Sequence, residues 1–198
     1  INECAWYCID PYRFPLEILS QNNYNIEYKF YALDLSRMNA MDIHQCEIVA
    51  RPIQLTVCLK IIAPVDEIPR MLGEAYNQLL AYLAKAGELP VNAPFVGYFN
   101  QDMQALELEV GFPVAKRLPG QGQIEPGEIP AGDYAVALHV GPYQKIESAY
   151  AALARYIKRH GREPTGIAYE IYLDDPSITP QKMLKTQISF PLKNMDVG

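Results

Sequence analysis

At 198 residues, 49% of them hydrophobic, the chain is long enough to bury a sizeable core and fits one compact domain. Acidic residues outnumber basic ones 23 to 17, and the net charge of −6 argues against direct nucleic-acid binding while suiting the attraction of cationic small molecules. No uninterrupted apolar run approaches the roughly 20 residues that span a bilayer, and the start shows no charged-then-apolar signal pattern, so a cytoplasmic location away from membranes is expected.

The first segment, residues 1–41, is an aromatic-rich arm holding Trp6, Tyr7, Tyr12, Phe14, Tyr24, Tyr28, Phe30 and Tyr31. Such a composition suits ordered packing, as a cover on the first repeat or as an aromatic wall of a ligand groove, and it is compatible with a homodimer in which the arm crosses between subunits. Cys4, Cys8, Cys46 and Cys58 all fall in the first third, too clustered for a disulfide framework. Together with His44 they match no familiar zinc spacing, so reduced thiols are expected, with neither metal nor cofactor.

Residues 42–198 form the second segment. Its first part, about 46–114, opens with β-branched runs at Glu47–Val49 and Gln54–Ile62, a strand pair or one bent strand. Ile68, Leu72, Ala75, Tyr76, Leu79 and Leu83 then recur at helical spacing until Gly87 and Pro90. Two strands come next, Phe95–Phe99 and Ala105–Pro113. Residues 115–130 carry Pro119, Gly120, Gly122, Pro126, Gly127 and Pro130 and read as a turn-rich linker. From about 131 to 192 the pattern returns: a strand over Tyr134–Val140, a helix stripe of Ile146, Tyr150, Leu153 and Ile157 stopping at Gly161, then strands over Ala168–Leu173 and Thr186–Pro191. Tyr76 and Tyr150, Pro90 and Pro164, and Tyr98 and Tyr172 are each 74 apart; Phe112 and Phe190 are 78 apart, so one four-residue insertion separates two copies. The expected class is α+β: a duplicated strand-helix-strand-strand module with pseudo-two-fold symmetry, its antiparallel sheets framing a central cleft and its helices on the outer face.

His139-Val140-Gly141-Pro142-Tyr143, Ala149-Tyr150, Glu170-Ile171-Tyr172, Asp175-Pro176, and Thr186 with Phe190-Pro191-Leu192 resemble the GyrI-like small-molecule-binding domain, the effector-binding domain of AraC-type and MerR-type multidrug regulators. Glu109-Val110-Gly111-Phe112-Pro113-Val114 extends the resemblance to the first copy. It implies a cleft that takes up aromatic, often cationic, lipophilic molecules. It also implies several settings: a sensor fused to a DNA-binding domain, a gyrase-interacting protein, or a hydrolase that opens cyclopropane-bearing alkylating toxins. Where many members carry a glutamate after the threonine of the last strand, this chain has Gln187.

Glu170 is the leading site candidate. Tyr172, two residues on, shares its strand face, and Ile171 and Leu173 are expected to point into the helix-packed core. A carboxylate among aromatic rings pairs a charge with cation–π attraction. Tyr98, the repeat-mate of Tyr172, should face the same groove, with Glu109 as a second carboxylate and Phe95 and Tyr143 as further ligand contacts. Were the protein an enzyme, Glu170 would position or activate water and a tyrosine hydroxyl, Tyr143 or Tyr98, would protonate the opened ring. His139 reads as hydrogen-bonded scaffold.

Overall fold

A computed structural model describes residues 44–195. The aromatic arm and the cysteines Cys4 and Cys8 lie outside that range.

Eight strands form one antiparallel sheet in the order β1-β6-β8-β7-β3-β4-β2-β5. In chain order these are β1 (Cys46–Arg51), β2 (Gln54–Ala63), β3 (Phe95–Tyr98), β4 (Leu106–Pro113), β5 (Glu125–Ile129), β6 (Gly132–Val140), β7 (Ala168–Tyr172) and β8 (Lys185–Pro191). Helix α1 (Ile68–Ala86) joins β2 to β3 and α2 (Glu147–Arg159) joins β6 to β7. The two copies are therefore β2-α1-β3-β4 and β6-α2-β7-β8. They meet where β3 pairs with β7, Val96 standing directly opposite its repeat-mate Glu170. The pseudo-two-fold axis passes between those two residues.

The linker expected over 115–130 is not structureless, since its last part is β5. Proline and glycine hid that strand: Pro126 and Gly127 lie within it, and an edge strand tolerates a residue without an N–H. Each copy's leading strand crosses to the other copy's flank, β1 onto β6 and β5 onto β2. The register runs on across the gap, with Arg51 opposite Gly132 and Gln54 opposite Ile129. Thus β1-β2 and β5-β6 behave as two bent strands, each with a proline, Pro52 or Pro130, at its bend. In a flat sheet β1 and β2 would sit six strand spacings apart, about 29 Å, whereas the three residue steps from Arg51 to Gln54 reach at most about 11 Å. The sheet must therefore curl into a half-barrel.

Curling divides the core in three. Under α1, Leu72, Leu79 and Leu83 pack on Val57, Leu59, Val96, Leu108 and Val110; under α2, Leu153 and Ile157 pack on Ala135, Ala137 and Ile188. Burying one such side chain contributes about 1.5–3 kcal/mol. Inside the curl, on the face without helices, Phe95, Tyr134, Val136 and Tyr169 close a third cluster.

Candidate functional site

The helices rest on the lateral strands, α1 on β2 and β4, α2 on β6 and β1. The central strands β3 and β7 thus form the floor between the two helices, with Val96 of β3 also packed under α1. Alternation decides what stands on that floor. Val96 and Tyr98 project from β3 beside the α1 cluster, so their cross-strand partners Glu170 and Ala168 project to the same side. Tyr172, two residues beyond Glu170, does likewise. Tyr169 and Ile171 point the other way, into the cluster inside the curl.

This corrects one sequence expectation. Glu170 and Tyr172 do share a face, but it is the helix-bearing face, while Ile171 packs away from the helices. A strand with apolar residues on one side and a glutamate on the other reads as helix side against open side; here the curl gives the helix-free side its own buried core, so the polarity cue inverts.

Glu170 is 8% exposed. Tyr150, from the α2 wall, donates its hydroxyl to Oε1 at 2.6 Å, and Tyr172 donates to Oε2 at 2.8 Å. Burial pushes the carboxyl above the usual carboxylate range, against the pull of the two hydroxyls and of His139. Burial, with Glu170 alongside, also pushes the Tyr150 hydroxyl far up, so it stays a donor. None of the ion pairs among the described residues includes Glu170. The carboxyl is therefore desolvated, bonded by two hydroxyls and, among the described residues, in no ion pair.

Of the other expected site residues, Tyr143 comes to the cleft from the 3-10 turn Tyr143–Lys145, its ring edge-on to Tyr172 at 5.7 Å. Tyr98 stands on the floor across the axis. Glu109 and Phe95 do not join them. Phe95 is fully buried inside the curl, edge-on to Tyr169 at 6.1 Å. Glu109, two residues from the inward-facing Gly111, lies on that same helix-free face beside Cys58; burial raises its carboxyl and, with Glu109 as the second cause, pushes the Cys58 thiol up to about 12.

Tyr150 is the residue sequence reasoning missed. It sat in the buried helix stripe, and its repeat-mate Tyr76 donates to the Phe95 carbonyl at 3.3 Å as ordinary scaffold. The available signal was the geometry of the duplication, which points both helix tyrosines at the axis, where only the second finds a carboxylate. His139 fills its expected scaffold role through Nε2, 3.1 Å from the Pro142 carbonyl.

Residues 56–193 match the family described as the GyrI-like small molecule binding domain. The chain belongs to the GyrI-like family. Solved structures agree on the fold. The GyrI-like chain here aligns with the crystal structure of the EcmrR C-terminal domain at TM-score 0.62 and 19% identity, covering 77% of this chain and 99% of that one. Against the cryo-EM structure of the EcmrR–DNA complex the values are 0.65 and 21%, covering 77% of this chain and 58% of that one. The structure of SAV2435 bound to tetraphenylphosphonium aligns at 0.52 and 11%, covering 76% and 99%. No curated protein matches. Among the described residues no helix is long and apolar enough to cross a membrane, and no group of three or more His, Cys, Asp or Glu could hold a metal ion.

Proposed function

We propose that this GyrI-like domain captures lipophilic aromatic cations in the cleft between α1 and α2, with Glu170 as the counter-charge and Tyr98, Tyr143, Tyr150 and Tyr172 as the aromatic surround. The observation that carries this reading is the state of Glu170, a desolvated carboxyl with two tyrosine donors and, among the described residues, no salt-bridge partner. Removing an ion from water costs several kcal/mol unless a partner compensates, and a bound cation is that partner. Ring faces around it add about 0.5–2 kcal/mol each. The tetraphenylphosphonium bound to SAV2435, a fold relative, is a ligand of this chemical class. A role as the sensing part of a longer regulator would use the same cleft.

The test is a fluorescence titration with a rhodamine-type cation. Glu170→Gln should weaken binding about tenfold or more while leaving the circular dichroism spectrum intact. Equal affinity in the two proteins would remove Glu170 from the account.

A second reading, hydrolysis of a cyclopropane-bearing toxin, draws on the same carboxyl. Burial raises it above the usual carboxylate range, which strengthens it as a base toward water once it is ionised. Tyr143 stands edge-on to Tyr172, while the hydroxyls on the carboxyl are those of Tyr150 and Tyr172, so Tyr143 or Tyr98 would protonate the opened ring. Substrate loss that runs no faster with wild type than with Glu170→Gln would end this reading and leave capture standing.

A further inference from the structure

Duplication provides an internal control for the cleft. Helix-face positions of β6 and β8 have mates 78 residues earlier on β2 and β4: His139 corresponds to Ile61 and Thr186 to Leu108, as the equivalent pairings His139↔Thr186 and Ile61↔Leu108 show. Where the first copy has two aliphatic side chains, the second buries an imidazole 3% exposed and a hydroxyl fully enclosed. The fold therefore has no need of polar groups at these positions.

Both carry an orphaned atom. The Pro142 carbonyl only accepts, so His139 Nε2 carries a proton, and in the neutral imidazole Nδ1 is then a bare acceptor. His139 Nδ1 and Thr186 Oγ1 are buried and, among the described residues, have no hydrogen-bond partner. Such groups are costly unless something fills them. They sit beside the carboxylate: His139 is opposite Thr186, Thr186 is opposite Tyr172, and Thr186 is diagonal to Glu170, a relation of about 7 to 8 Å between strand neighbours. The covering rings are Tyr143, against Tyr172, and His44, 6.0 Å from the His139 ring. Both are only partly buried.

We propose that His139 Nδ1 and Thr186 Oγ1 form a hydrogen-bonding subsite of the cleft, which makes it prefer cations that carry N–H groups, such as aromatic ammonium or amidinium compounds, over fully substituted ones. This rests on the capture reading and adds its ligand class. An ammonium has one N–H for Glu170, one for the bare imidazole nitrogen and one for the threonine oxygen. A quaternary nitrogen has none. Tyrosine rings and one carboxylate alone would favour the quaternary cation, which is less strongly hydrated, so the subsite reverses the order that the rest of the cleft would set.

The experiment uses two probes with the same ring and charge, 1-naphthylmethylammonium and 1-naphthylmethyl-trimethylammonium, titrated by their fluorescence into the full chain. Wild type should bind the ammonium about tenfold or more tightly than its trimethyl analogue. Thr186→Val, close in shape and without the hydroxyl, should bring that ratio to one or below, as should His139→Leu; thermal melts confirm that each variant is folded. A wild-type ratio near one, or a preference that survives in both variants, overturns the subsite while capture of cations stands. Binding of neither probe overturns the subsite and counts against the capture reading as well.

Discussion

Across the pseudo-two-fold axis Val96 faces Glu170, and on the same face of the sheet Ile61 corresponds to His139 and Leu108 to Thr186. Tyr76 and Tyr150 reach the axis from equivalent turns of the two helices, yet one hydroxyl ends on a backbone carbonyl and the other on a carboxylate. At these helix-face positions the first copy carries aliphatic side chains where its partner buries polar ones. Stability is carried by features present in both halves. The candidate chemistry is carried by those present in one.

The strongest way to break this comparison is to give the first copy a charge at the axis. Val96→Glu would set a second carboxylate at the axis, opposite Glu170, where Tyr76 is already committed to the Phe95 carbonyl. A buried, uncompensated charge of this kind should cost about 3 kcal/mol or more in urea unfolding. A loss below about 1 kcal/mol would mean that the floor of the cleft is wetter than its burial implies. Exchanging the two residues, Val96→Glu with Glu170→Val, should not restore stability, because the donor from α2 stays on the other side.

Next in size is the pair of helix tyrosines. Tyr150→Phe removes a hydrogen bond to a carboxylate and should cost about 1.5–3 kcal/mol at neutral pH, whereas Tyr76→Phe removes a longer bond to a neutral carbonyl and should cost about 1 kcal/mol. Equal losses would show that Glu170 keeps its proton and that the two halves are alike at this point.

The pH dependence sharpens the same contrast. Glu170 is raised by burial, so the folded protein holds that proton more tightly than the unfolded chain does. Its contribution to stability is full below the ordinary carboxylate range and is lost as pH rises through its folded value. Glu109, also raised by burial, acts in the same direction, so the difference between wild type and Glu170→Gln isolates the site. That difference should grow in favour of the variant as pH rises. Cation affinity should move oppositely, increasing over the same interval as the carboxyl ionises. A pH-independent difference in melting temperature would show that Glu170 ionises as freely folded as unfolded.

The duplication, both helices and the strands of both copies were legible because periodicity and punctuation agreed: Leu72, Leu79 and Leu83 recur at helical steps before Gly87, and Leu106-Glu107-Leu108-Glu109-Val110 alternates strictly. That Glu170 and Tyr172 share a strand face was legible from alternation. What failed did so for three physical reasons. An edge strand needs few ladder donors, so β5 could hide inside a proline-rich run. Alternation alone already sets Phe95 and Tyr98 on opposite faces; which of those faces carries Glu170 and which carries Glu109 depends on strand order and register, which local pattern does not encode. Tyr150 was passed over because a helix-stripe tyrosine near the axis looks the same whether it meets a carbonyl or a carboxylate.

The smallest expected effect is the one that should be equal in both halves. Gly87 and Gly161, 74 apart, end the two helices with φ of 69° and 62°, and their N–H groups close back onto Ala84 and Lys158. A side chain at either would meet nothing within 4 Å, so Gly→Ala there is a matter of the left-handed backbone alone. Each substitution should cost about 1 kcal/mol. Because the strain is local and the space is open on both sides, the two losses should agree within about 0.5 kcal/mol and add in the double variant. They should leave probe binding unchanged, since neither residue touches the cleft. A markedly larger loss at Gly161 would tie that terminator to the polar half, placing the asymmetry in the scaffold as well as in the side chains on its floor.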